Sequence, residues 1–353
     1  MEDYSTDINN LVELVIKEGA SDLHISEGRP PIVRIASNLI SLSKHPVFDR
    51  AAMERILDIL IPKSKKEIYK SKKSVDFAYE HKSERFRSHA FYQQGKMCLA
   101  MRTIPRNIRT LKELGIPEQL ANFAKYQEGF FLVVGPTGHG KSTTLASLIE
   151  IINQELTQRI VTIEDPIEYL FTPKKSFIDQ REVEDDTPDF HEGLRDAFRE
   201  DVDVIMIGEL RDPESIATAV TAAETGHLVF STLHTSSASR TIERIIDNFP
   251  PGQQDQIRMQ LSSSLSGIFS QRLIPRISGG LVPAYELLIS NSAISNLIRD
   301  NRTHEIDTVI ETSSEAGMID MNRSLAELTR AGEISVENAY LYSNSPKTLE
   351  KLL

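Results

Sequence analysis

The eight residues Gly135-Pro136-Thr137-Gly138-His139-Gly140-Lys141-Ser142 constrain this chain more than any other segment, because they satisfy the spacing G-x-x-x-x-G-K-[ST] at every fixed position. Glycines let a loop fold tightly enough for consecutive backbone N–H groups to converge on one anion. In such a loop Lys141 reaches the outer phosphates of a nucleotide, and the Ser142 hydroxyl can ligate Mg²⁺. The flanks have the required order. Residues 129–134 form a short apolar run that reads as a buried strand, and 141–152 carry apolar residues at helical spacing. Strand, turn and helix in this order aim the positive end of the helix at the phosphates. Residues 135–143, ending on Thr143, are the candidate phosphate site for ATP.

Further apolar strand candidates at 160–164, 203–207 and 228–233 alternate with helical stretches, which predicts an α/β fold with a largely parallel sheet covered on both faces. Residues 260–274 read as a helix, Gly279-Gly280 as a turn into another strand, and 290–353 as a polar helical segment. The first hundred residues read differently. Ile8, Leu11, Val12 and Val15 open a helical pattern, and alternating stretches follow at 32–35, 75–78 and 85–91. That pattern predicts a smaller α+β domain with a half-buried antiparallel sheet and helices on one face. The polar, Pro-containing stretch that begins at Arg102 suggests domains at 1–105 and 111–353, joined by a linker at 106–110.

Composition removes several classes. With 353 residues the chain has room for two cores, and the single cysteine, Cys98, excludes an intrachain disulfide framework and any Cys-rich metal site. Cys98 reads as a small buried apolar residue. No apolar stretch approaches the roughly 18–20 residues that span a bilayer, and Met1-Glu2-Asp3-Tyr4 is acidic, unlike a signal peptide. A cytoplasmic protein is expected. A net charge of −11 disfavours general binding to nucleic acid. The one basic run, Lys63 to Lys73, reads as a solvated helix face.

Hydrolysis needs a carboxylate beside the metal and a group that orients water. The strand at 203–207 ends in Gly208-Glu209, and ligands gather at the C-terminal ends of parallel strands. Glu209 is the first candidate to polarise the attacking water or to hold the metal through water. Glu164, at the end of the strand at 160–164, could share metal or water on the same edge. His234 follows the strand at 228–233 and reads either as a γ-phosphate or interface sensor or as a hydrogen-bonded structural residue. His227, before that strand, is the weaker candidate. A cation at the γ-phosphate is worth about 10³ to 10⁵ in rate. Arg85, Arg87 and Arg102 of the first domain either serve there or are surface arginines on a solvated sheet.

The ordered segments together resemble the secretion ATPase superfamily of type II secretion and type IV pilus motors, most closely the PilT-type pilus retraction (twitching motility) ATPases. The similarity is carried by Gly19-Ala20-Ser21-Asp22-Leu23-His24-Ile25, the phosphate loop, residues 162–168 (the Asp box), Arg181-Glu182-Val183, Leu194-Arg195, residues 207–212 (Walker B) and residues 225–235 (the His box). The resemblance implies a PAS-like N-terminal domain, a RecA-like ATPase domain and a homohexamer with nucleotide between the two domains. It also implies that Glu209 is the catalytic carboxylate and that Arg87 and Arg102 help sense phosphate. The implied partners are an inner-membrane platform protein and, through it, the pilus, on the cytoplasmic face of the membrane.

Retraction is favoured within the superfamily because the chain lacks a four-cysteine zinc motif and has little sequence before Ser21. Residues 293–300 are similar to the retraction motif A-I-R-N-L-I-R-E, changed at Ser295 and Asp300. Other departures are His139 where the family usually has serine, Val202 before the Walker B strand, Ser37-Asn38 at an expected glycine turn, and Gln94 for arginine. The competing readings are an accessory or non-hydrolysing paralogue in a mixed ring, a pilus extension or secretion ATPase, and, more remotely, a nucleic-acid translocase.

Overall fold

A computed structural model describes residues 4–36, 38–82 and 84–353. Residues 1–3, Ser37 and Ser83 lie outside the described residues, and with them the acidic start and the departure at Ser37. The chain divides into two compact units, Met1–Pro105 and Arg106–Leu353.

In the first unit, α1 (Tyr4–Lys17), β1 (Asp22–Ser26), β2 (Ile32–Ile35), β3 (Asn38–Ser41), α2 (Arg50–Leu60), α3 (Lys66–Lys72), β4 (Ser74–His81), β5 (Glu84–Gln93) and β6 (Lys96–Thr103) follow in order. The strands make one antiparallel sheet in the order β3-β2-β1-β6-β5-β4. Strand alternation sends Leu23, Val33, Phe86, Leu99 and Met101 to one face, where Leu11, Val12, Met53 and Ile56 of α1 and α2 cover them. The Asp49 side chain starts α2 by accepting from the Ala52 N–H at 2.8 Å. The register sets Arg34, Asp22, Arg102 and Arg87 in one cross-strand row on the face away from that core. Of the basic run, Lys66 pairs with Asp58 and Lys70 with Glu67, as a solvated helix face requires, whereas Lys65 is buried.

The second unit runs β7 (Gly129–Val134), α4 (Lys141–Glu155), β8 (Arg159–Glu164), β9 (Phe177–Glu182), α5 (Phe190–Ala197), β10 (Val204–Ile207), α6 (Pro213–Glu224), β11 (Leu228–Leu233), α7 (Ala238–Asp247), α8 (Pro251–Ser264), β12 (Leu265–Pro275), β13 (Leu281–Ile289), α9 (Ser292–Arg299), α10 (Ile306–Thr312), α11 (Met321–Arg330), α12 (Val336–Tyr342) and α13 (Pro346–Leu352). Its seven strands are ordered β13-β12-β7-β11-β10-β8-β9, all parallel except the β12–β13 hairpin. Every residue of β7, β10 and β11 is buried, as expected when helices cover both faces. Phe131, Val133 and Phe230 pack with Leu145, Leu148 and Ile149 of α4 on one side. Phe130, Leu132 and Val229 pack with residues of α5 to α8, among them Leu194, Val220, Ile242 and Leu261, on the other. The expected α/β fold with a largely parallel sheet, preceded by an antiparallel α+β unit, is borne out.

Two local expectations are corrected. Residues 260–274 are not one helix: α8 stops at Ser264 and the chain enters β12, which pairs with β7 and β13. Leu261, Leu265, Ile268 and Phe269 have helical spacing, but pairing in mid-sheet overrides it. Arg102 and Thr103, read as the start of polar connecting chain, still belong to β6.

Candidate functional site

The site forms where the C-terminal ends of β7, β8, β10 and β11 come together along one sheet edge. Gly135 leaves β7 with φ 146°, and a Cβ there would sit 2.3 Å from the Gln271 carbonyl oxygen of β12. Only glycine fits so close to a neighbouring backbone. Gly140 has φ 83° and precedes α4 with no side-chain cap, whereas α5, α6 and α7 start on Asp189, Asp212 and Ser237, whose side chains accept from the first turn. The first N–H groups of α4 therefore remain for a ligand.

Lys141 is buried, and its ammonium donates to the Pro136 carbonyl (3.1 Å) and to His234 Nδ1 (3.2 Å). Burial lowers its pKa, partly offset by Glu209. Thr137 Oγ1 also lies 3.2 Å from His234 Nδ1. The opposite ring nitrogen, Nε2, stands 3.1 Å from Glu209 Oε2. The other oxygen of Glu209 pairs with Arg211, which lies 3.6 Å from Asp165. Lysine, imidazole, carboxylate, guanidinium and carboxylate thus alternate from the phosphate loop to the Asp box. With Nδ1 accepting from an ammonium, His234 carries its proton on Nε2 and donates it to Glu209.

Glu164 is buried at the adjacent strand end, where Gly208 lies against its backbone. Its carboxylate accepts from Thr162 Oγ1 (2.7 Å), Gln180 Nε2 (3.2 Å) and the Glu168 N–H (3.3 Å). Burial outweighs these donors and pushes its pKa up to about 7. Ser142 is exposed at the start of α4, and Thr143 Oγ1 bonds Tyr169 Oη at 2.8 Å. Gly138 stands clear of neighbouring atoms with φ 79°.

The donor set fits Mg²⁺. Ser142, Glu209 and Glu164 offer hard oxygens, and no group of three or more His, Cys, Asp or Glu among the described residues could hold a metal by itself. Mg²⁺ is commonly held by few protein oxygens, with nucleotide phosphates completing its shell.

The structure thus joins Lys141, His234 and Glu209 directly and sets Glu164 beside them. His227 is placed elsewhere: its Nδ1 meets the Ala222 carbonyl at 3.1 Å, at the end of α6. In the first unit, Arg102 Nε donates to the buried Asp22 at 2.8 Å, Arg34 Nε lies 3.6 Å from the same carboxylate, and Arg87 is exposed beside Arg102. Arg85 instead pairs with Glu80 at 3.0 Å. Sequence reasoning passed over Arg211, Gln180 and Gln271. Arg211 could have been found from its place in the strand-end acidic motif; the other two carry no local signal.

Fold and site define a P-loop nucleotide-binding protein built on a doubly covered, largely parallel sheet. Residues 2–280 match the family described as Type II/IV secretion system protein. The type IV pilus retraction ATPase PilT of Pseudomonas aeruginosa is 43% identical over 334 residues, covering 94% of this chain and 97% of that protein. The twitching motility protein of Neisseria gonorrhoeae is 42% identical over 311 residues, 88% of this chain and 83% of that one. The crystal structure of the pilus retraction motor PilT with bound ADP matches with a TM-score of 0.91 and 44% identity, covering 98% of this chain and 99% of that chain. The chain belongs to the type II/IV secretion system protein family, and the expectation of a PilT-type ATPase is borne out. No helix among the described residues is long and apolar enough to cross a membrane.

Proposed function

We propose that this chain is an ATP-hydrolysing motor that drives retraction of a type IV pilus. The observation that carries the reading is the joining of Lys141 to Glu209 through His234. A phosphate-binding lysine and a strand-end carboxylate held by one imidazole are the two halves of a hydrolytic site. Similarity to PilT along nearly the whole chain supplies the direction of the work.

ATP binds with its phosphates on the loop backbone, Lys141 and the open N-terminus of α4. Ser142 would hold Mg²⁺, with Glu209 or Glu164 placed to reach it through water, and a bound metal would offset the negative charge of the phosphates. Glu209 orients the attacking water and Glu164 assists. Lys141 leaves His234 for phosphate, so His234 senses whether the γ-phosphate is present. By resemblance to the family, Arg87 and Arg102 are the proposed phosphate-sensing cations. The working form is a homohexamer at the cytoplasmic face of the membrane, pushing on an inner-membrane platform protein.

Deleting the gene and scoring surface pili tests the direction of force. Excess pili with lost twitching is the expected result; absent pili would assign the chain to extension.

A further inference from the structure

Gln271 and Leu273, near the end of β12, form the back wall of the phosphate loop. Gln271 Nε2 donates to the His139 carbonyl at 2.9 Å, and Gln271 Oε1 accepts from Thr144 Oγ1 at 2.7 Å. Arg272 reaches the other way, to the Ser236 carbonyl at 3.2 Å, the Tyr342 carbonyl and the Asn344 side chain. The N–H of Leu273 donates to His139 Nδ1 at 2.9 Å. The ladder between β12 and β7 ends at the Ser270–Val134 pair. Beyond it, where β7 has become the loop, the Leu273 N–H takes a side chain as its acceptor. The loop side chain that accepts from this wall is thus an imidazole.

We propose that His139 is a positioning residue for the nucleotide: its neutral ring fastens the phosphate loop to β12, so nucleotide affinity in this chain weakens as the ring gains a proton. An imidazolium donates from both nitrogens and cannot accept from the Leu273 N–H. The charged groups acting on the ring are Lys141 at the start of α4 and Arg272 on β12, both cations. Partial burial, then Lys141 and Arg272, hold the ring's pKa below its usual value. The contact persists at neutral pH and is lost only on acidification. Loosening it frees a loop whose N–H groups must all point at one anion.

The inference rests on the nucleotide site proposed above. Binding of a fluorescent ADP analogue with Mg²⁺ to the full chain, measured between about pH 8 and about pH 5.5, tests it in three proteins: wild type, His139→Asn and His139→Ala. Asparagine places an acceptor oxygen as many bonds from Cβ as His Nδ1 and does not titrate. One hydrogen bond corresponds to a factor of about 3 to 10. At the upper pH, Asn should bind like wild type and Ala more weakly by that factor. On acidification wild type should lose about that factor relative to Asn. Parallel pH dependence in wild type and Asn, or Asn as weak as Ala at the upper pH, would overturn the role of His139. Failure of wild type to bind at every pH would overturn the nucleotide site itself.

Discussion

Glu209 Oε2 stands 3.1 Å from His234 Nε2, while the far nitrogen of the same ring is shared by Lys141 and Thr137. One imidazole therefore holds the carboxylate that would orient water and the lysine that would hold phosphate. An incoming phosphate would compete with His234 for Lys141, and that competition would tie nucleotide occupancy to the position of Glu209.

His234→Ala removes this link while leaving Lys141 its contact with the Pro136 carbonyl. ATP turnover should fall by about tenfold or more, whereas ADP affinity should change by less than about threefold. Steady-state turnover and ADP titration check it. Equal losses in both would mean that the ring only shapes the loop.

Asp22 lies between Arg34 and Arg102 in the cross-strand row. Burial raises its pKa, but the Ser21 hydroxyl and Arg102 outweigh burial and hold the carboxyl below its ordinary value. Stability drawn from this group is present above the unfolded value of about 3.9 and is lost as pH falls through the lower folded value. Asp22→Ala should destabilise the chain by about 1 kcal/mol, because it removes a buried carboxylate that accepts from Ser21 and Arg102, while the exposed Arg102 side chain returns to water. Urea unfolding reads this directly.

Glu286 is buried on β13, accepts from the Ala238 N–H at 2.7 Å, and is pushed up by burial to about 7, as is Glu164. Both folded values exceed the unfolded 4.5. The native state thus binds the proton more tightly. This contribution is full below about pH 4.5 and disappears as pH rises through about 7. Stability should therefore decline across that window, and Glu286→Gln should flatten the decline by an amount on the order of 1 kcal/mol or more. Melting temperatures recorded against pH show the slope. An unchanged slope in the variant would contradict the assignment.

What could be read in the sequence follows from where the forces are local. The strand at 129–134, the glycine loop and α4 are set by neighbouring residues, so pattern and spacing reveal them. Glu209, Glu164 and His234 were legible because parallel strands deliver their C-terminal ends to one edge. Strand β9 was not: it is an edge strand of mostly polar, half-buried residues, and it brings in Gln180 that holds Glu164. The start of β12 hid behind helical spacing. Its Gly267, where a Cβ would stand 2.8 Å from the Phe123 ring and 2.9 Å from the Leu288 carbonyl, answers to neighbours far away in the chain. The contact between His139 and Leu273 is of the same kind.

Steady-state ATP turnover by the purified chain and by Glu209→Gln tests the central claim most directly. Wild type should hydrolyse ATP in the presence of Mg²⁺. The variant should lose about 100-fold or more while still binding ATP, because Gln keeps the size of the side chain and its contact with His234 but cannot polarise water. Turnover absent from wild type, or undiminished in Glu209→Gln, would contradict the account.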